Sequence, residues 1–199
     1  MTETIVDLIR HGEPAGGRRY RGYNIDDPLT EKGRSQMWNA VGDYSEWDVI
    51  VTSPLQRCRV FAEALGEKLN IPVIVEDNLK EVGFGSWEGK TPDELKANNA
   101  EEFDAFYADP VNARPEGAEP LDEFIQRVVN VYDRVVETHT GKHLLVVAHA
   151  GVIRALIANA IDASPAGMYR IGVSNAGVSR ITNEAAYNRL NILNYIQLT

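Results

Sequence analysis

The sequence predicts an α/β fold, a three-layer αβα sandwich with helices on both faces of a mostly parallel central sheet that includes an antiparallel strand. Three observations carry this. Short apolar runs that read as buried strands alternate with longer segments of helical spacing along most of the chain. Two of those strands deliver a histidine, followed by glycine in one case and by one residue and then glycine in the other. The tail from Gly172 to Leu198 alternates in polarity, as two antiparallel strands would. At 199 residues and 44% hydrophobic content, the chain suffices for one well-buried core and is short for two, so one domain is expected over 1–199.

The elements follow in order. Residues 4–9, Thr-Ile-Val-Asp-Leu-Ile, read as a buried strand that delivers Arg10, His11 and Gly12 to a turn. Thr30 is placed to cap a helix in which Met37, Trp38 and Val41 are apolar and Gly33 is a blemish. Asp48–Val51 is a second strand. Ser53 and Pro54 then read as the cap and first turn of a helix over Leu55–Leu69. Pro72–Val75 is a third strand, and 79–91 is irregular, with Gly83, Gly85 and Gly89 around Phe84 and Trp87. Thr91–Asp109 is polar, helix-prone and weakly periodic, a surface excursion that covers something. Leu121, Ile125, Val128, Tyr132 and Val135 recur at helical spacing and place a helix over 119–138. Leu144–Ala148 is a strand ending in His149, and Val152–Ile161 a helix. Two closing strands join near Asn183-Glu184. His139 and His143 read as surface loop residues, and Trp38 and Trp47 as packing.

A net charge of −9 argues against a nucleic-acid or acidic-membrane binder, which needs a broad basic surface. The start of the chain has no basic flank or small-residue cleavage site, and no run is long enough to span a bilayer. The single cysteine, Cys58, fits a reducing compartment, so a cytoplasmic location is expected. Against the acidic balance, Arg10, Arg18, Arg19 and Arg21 lie close together. They allow a positive pocket, although Arg18 and Arg19 alone are equally readable as solvated loop charges.

In a parallel sheet the ligand sits at the carboxyl ends of the strands, where both histidines fall. A phosphate monoester needs cationic donors for its oxygens, an in-line nucleophile and an acid for the leaving oxygen. Arg10, His11, Arg57, Glu81 and His149 supply these. Arg57 lies one turn into its helix, where guanidinium and helix terminus can face one anion. Asp26 and Asp27 lack histidine partners at ligand spacing and read as a turn, so no metal site is expected.

The stretch Leu8-Ile9-Arg10-His11-Gly12-Glu13-Pro14 resembles the Arg-His-Gly signature of the histidine phosphatase superfamily, which includes the phosphoglycerate mutases. Gly22 with Asp27–Gly33, Ser53–Arg57, Leu79–Gly89 and Ala148–Arg154 resemble its later motifs, in family order across nearly the whole chain. The resemblance implies a phosphoglycerate mutase-like fold and a metal-independent, cofactor-free phosphomonoesterase. His11 would carry the phosphoryl group, and Arg10, Arg57 and His149 would hold its oxygens. Glu81 would serve as proton donor and then base, and Arg21 and Gly22 would join the substrate contacts. Where relatives have Ser or Thr and an Asn, this chain has Pro14 and Gly17, so a phosphate contact is missing unless Arg21 replaces it. Cys58 and Phe61 stand where Ala and Thr are common and read as packing changes.

The chain has little room for the insertion of the longer mutases, which favours hydrolysis. Tyr20-Arg21-Gly22, Asp26–Thr30 and Phe84–Gly89 look most like alpha-ribazole phosphatases of cobalamin assembly, making a small phosphorylated metabolite the expected partner. Phosphoglycerate mutase chemistry is one alternative, and a phosphoprotein phosphatase or a regulatory phosphopeptide-binding protein another. Segment 92–120 is expected to form a lid and leaving-group pocket. Phe103, Phe106 and Tyr107 either stack on a substrate ring or anchor the excursion, and anchoring is expected of at least two.

Overall fold

The computed structural model describes residues 3–184 and 187–195. Strands β1 (Thr4–Arg10), β2 (Val49–Thr52), β3 (Val73–Val75), β4 (His143–Ala148), β5 (Val178–Glu184) and β6 (Tyr187–Tyr195) form one sheet in the order β3-β2-β4-β1-β5-β6. The first four are parallel, while β5 runs antiparallel to both β1 and β6. This is the expected mixed sheet. The last three residues of the predicted tail strand, 196–198, lie outside the described residues.

Alternation along the strands sends side chains to two separate cores. Val6, Leu8, Val51, Leu144 and Val146 pack against α5 (Leu121–Thr138) and α6 (Ala150–Ala160). Ile9, Ile50, Leu145 and Val147 pack against α1 (Glu31–Val41) and α2 (Gln56–Leu69). Both faces of the central strands are dry, which is why they read as continuous apolar runs. The excursion folds as α3 (Pro92–Asn98), closed by a Thr91–Glu94 capping box, and α4 (Ala100–Ala108), capped by Asn99. Among the described residues no helix is long and apolar enough to cross a membrane.

Three readings of the sequence are corrected. Thr30 caps α1 as expected, accepting from the Gly33 amide at 2.9 Å, but Gly33 is not a blemish. A Cβ there would sit 2.2 Å from the Glu13 carbonyl oxygen, so the β1–α1 loop can lie against the helix only because this residue is glycine. Ser53 does not cap α2. Ser53, Pro54 and Leu55 form a turn before the helix, and the Gln56 amide donates instead to Asp26 Oδ1 at 2.7 Å. His143 is not a loop residue. It opens β4 and places Nε2 2.9 Å from Oδ2 of the fully buried Asp7, which also receives Trp47 Nε1 and a two-pronged contact from Arg180. A buried carboxylate must be paired, and these three residues pair it.

Candidate active site

Arg10 of β1 pairs in register with Ala148 of β4, so the residues after them stand side by side at the carboxyl edge of the sheet. The His11 amide donates to the Ala148 carbonyl at 3.0 Å, and the rings of His11 and His149 meet edge to face with centroids 5.3 Å apart. His11 Nδ1 lies 2.8 Å from the Gly12 carbonyl. A carbonyl can only accept, so Nδ1 carries the proton and Nε2 keeps its lone pair. Burial holds the His11 pKa well below the ordinary histidine value, and the charges of Arg10 and Arg57 hold it lower still. His149 is fully buried behind it, with Nε2 2.7 Å from Ser53 Oγ at the end of β2, and burial again keeps it neutral. His149 does not itself line the cleft.

Two arginines, Arg57 buried and Arg10 half-buried, line the cleft with His11. Arg57, 1% exposed, is clamped by the loop before α1, with Nη1 donating to the Ile25 carbonyl at 2.8 Å and Nη2 to the Gly22 carbonyl at 2.9 Å. Asp26, holding the amide of the preceding residue, fixes the backbone beneath it. Arg10 donates Nη1 to the Val173 carbonyl at 2.7 Å, and burial pushes its pKa down to about 10, leaving it charged at neutral pH. In both arginines the buried Nε has no partner. A buried donor without an acceptor is costly, and both residues line the same cleft as His11.

Glu81 approaches from the loop after β3. Its Oε1 accepts from the Val82 amide at 3.0 Å and the Gly151 amide at 3.1 Å, so the carboxylate rests on the first turn of α6. Gly151 makes room for it, since a Cβ there would lie 2.3 Å from Oε1. The loop is held from below by Arg127 of α5, which donates to the carbonyls of Asn78, Lys80 and Glu81 and pairs with Glu119 at 2.6 and 2.9 Å. Arg127 was missed from sequence, where it reads as one more solvated charge on an amphipathic helix.

Arg21 is buried but largely committed. It donates to Asp27 at 2.9 Å and to the carbonyls of Ala15, Gly17 and Arg19, organising the loop that carries it. Gly22, at φ +57°, faces Glu88, whose Oε1 would lie 1.9 Å from a Cβ at this position. Both residues line the cleft, which has a volume of about 280 Å³ and also takes in Arg18, Arg19, Tyr20, Phe84, Tyr107, Arg154 and Tyr169. Phe103 and Phe106 are buried with Trp87 and Leu95 and anchor the excursion, whereas Tyr107 is half exposed and bonds the Tyr20 hydroxyl at 2.6 Å across the mouth. Among the described residues no three His, Cys, Asp or Glu side chains are grouped as metal ligands. Cys58 is buried, its thiol pushed far up by that burial, with Sγ 3.3 Å from the Ala148 carbonyl. It is a packing residue.

Residues 6–196 match the histidine phosphatase superfamily (branch 1). A bifunctional protein of Mycobacterium tuberculosis is 33% identical over 183 residues, which cover 89% of this chain but 50% of that protein. The chain therefore spans about half the length of such relatives. Phosphoserine phosphatase 1 of Hydrogenobacter thermophilus is 30% identical over 193 residues, 94% of this chain and 90% of that one. The crystal structure of the alpha-ribazole phosphatase from Shigella flexneri superposes with a TM-score of 0.84 at 30% identity, covering 98% of each chain. Sheet order, paired histidines and motif match agree, and the chain belongs to the histidine phosphatase superfamily (branch 1).

Proposed function

We propose that this chain is a metal-independent phosphomonoesterase that forms a phosphohistidine on His11 and acts on a small phosphorylated metabolite. The observation that carries this reading is that Arg10 and Arg57 line one cleft with a neutral histidine whose Nε2 lone pair is free. Arg10 and Arg57 take the phosphoryl oxygens, a cationic task that a metal ion performs in other phosphatases. His11 Nε2 attacks phosphorus in line as the bond to the alcohol oxygen breaks, and protonated Glu81 gives that oxygen its proton. Glu81, now a carboxylate, takes a proton from water, whose oxygen attacks the phosphohistidine. Inorganic phosphate leaves and His11 and Glu81 are restored. The amide contacts from Val82 and Gly151 hold Glu81 at one place through both halves of the cycle. His149, buried and braced by Ser53, sets the face against which His11 packs and so positions the nucleophile.

The domain 1–199 acts as one unit in this reading, with 92–120 forming the wall of the leaving-group pocket. Two substrates are candidates. Alpha-ribazole 5′-phosphate follows from the likeness of residues 20–22, 26–30 and 84–89 and from the Shigella structure, and O-phosphoserine from the Hydrogenobacter relative. The test is phosphate release from an aryl phosphate in the presence of a chelator, native chain against His11→Ala. Release that survives chelation and is lost in the variant supports the reading, and equal release from both proteins removes His11 as nucleophile.

A further inference from the structure

Six arginines and one carboxylate, Glu81, line the cleft of a chain whose net charge is −9. A phosphomonoester dianion is matched by Arg10 and Arg57. Arg21 is neutralised by Asp27 at 2.9 Å. Arg18, Arg19 and Arg154 are left, and among the described residues none of the three has a carboxylate within ion-pair distance, while exposed arginines elsewhere, such as Arg34, Arg59 and Arg134, do. Even with Glu81 ionised, the leaving-group end of the cleft keeps a surplus of positive charge.

Arg154 is the most telling of the three. It stands one turn into α6, half-buried, its Nε donating to the Ile171 carbonyl at 2.9 Å and its guanidinium over the Tyr169 ring at 6.0 Å. These contacts hold the side chain at the cleft wall and leave both Nη groups without a hydrogen-bond partner among the described residues, the fork that binds a carboxylate or phosphate. Tyr169 adds a donor. Its oxygen accepts from Arg114 Nη1 at 3.1 Å, so its own proton is available to a ligand. On the opposite wall Arg19 is folded back onto the Gly16 carbonyl through Nε and Nη2, keeping Nη1 free, and Arg18 stands exposed at the rim.

We propose that the alcohol released from the natural substrate carries its own negative charge, a carboxylate or a second phosphate, seated on Arg154 and Tyr169 and guided in by Arg18 and Arg19. The inference rests on the phosphatase reading and decides between its two candidates. The alcohol of alpha-ribazole 5′-phosphate is an uncharged nucleoside and leaves the surplus unmatched, whereas a phosphorylated acid matches it. General attraction of phosphate by a positive cleft would accelerate every ester alike. A seat for a second anion instead discriminates between esters that differ only in that group.

The experiment compares two matched pairs on the native chain, with an aryl phosphate as control. These are phosphoglycolate against 2-hydroxyethyl phosphate, and propane-1,3-diol bisphosphate against 3-hydroxypropyl phosphate. A preference in kcat/KM of about tenfold or more for the charged member of at least one pair is expected, and which pair shows it identifies the second group as carboxylate or phosphate. Arg154→Gln should cut that ratio by about fivefold or more, with Arg154→Lys recovering part of it, because the charge and not the packing of the side chain is at issue. Hydrolysis of the aryl phosphate with both ratios near one, or a preference unchanged in Arg154→Gln, Arg18→Gln and Arg19→Gln alike, overturns the proposal and leaves the phosphatase reading standing. Failure of the native chain to hydrolyse the aryl phosphate and all four esters overturns both.

Discussion

Two neutral, buried imidazoles at the end of the sheet make folding of this chain depend on pH below about 6.5. His11 is 5% exposed and His149 0%; burial, with the Arg10 and Arg57 charges added, keeps both well below the ordinary histidine pKa. In the unfolded chain each titrates near 6.5. Below that pH the unfolded chain takes up protons that the folded chain refuses, so the stability contribution is complete above about pH 6.5 and is lost as pH falls toward the folded values. Integrating the unfolded-state protonation of one histidine from pH 6 to pH 5 sets a ceiling of about 1.2 kcal/mol, and of about 2.4 kcal/mol for the pair. Asp7 and Asp48, both held below the usual aspartate value, act mainly below about pH 4, outside this interval. The assay is urea unfolding at pH 7.5, 6 and 5, with m checked for constancy. The native chain should lose stability over the last step, by up to about 2.4 kcal/mol, and His11→Asn clearly less, whatever the absolute stability of the variant. Equal losses in the two proteins, or none in the native chain, would refute the assignment of His11 as a buried neutral base.

Two further outcomes test the geometry. Gly151→Ala should push Glu81 off the α6 terminus and lower kcat by about ten- to a hundredfold, with alkyl phosphates hit harder than nitrophenyl phosphate because the poorer leaving group needs the proton; an equal loss on both esters would argue against Glu81 as the acid. Asp7→Asn should cost about 3 kcal/mol of stability by stranding Arg180 and His143, read as a fall in the urea midpoint, while the folded variant keeps its kcat/KM for aryl phosphate.

The sheet was legible because its central strands are buried on both faces and so lack polar alternation, and the site was legible because two of them end in histidine. What sequence reasoning missed are pairings between distant segments. Asp26 looks like half of a turn until the loop folds over α2 and its carboxylate meets the Gln56 amide. Arg127 looks solvated until α5 lies beneath the Glu81 loop. His143, next to Gly141 and Lys142, carries every mark of a loop, and only the buried Asp7 carboxylate on the neighbouring strand explains why it starts β4. Such partners are fixed by topology, and a local window of sequence contains no trace of them.

Arg21 shows how placement changes a reading that residue type alone suggests. As an arginine four residues after the glycine that replaces the usual phosphate contact, it looks like a substitute donor. Its guanidinium instead closes the loop on itself, tied to Asp27 and to the carbonyls of Ala15 and Gly17. That same closure carries Gly22 and Ile25, whose carbonyls clamp Arg57. The acidic pair that sequence reading assigned to a turn therefore serves both arginines, Asp27 by holding Arg21 and Asp26 by holding the start of α2. Both carboxylates thus hold the frame that clamps Arg57 in place, while Arg21 is spent on closing the loop; a chain of net charge −9 keeps its positive site by fixing cations locally rather than by its overall balance.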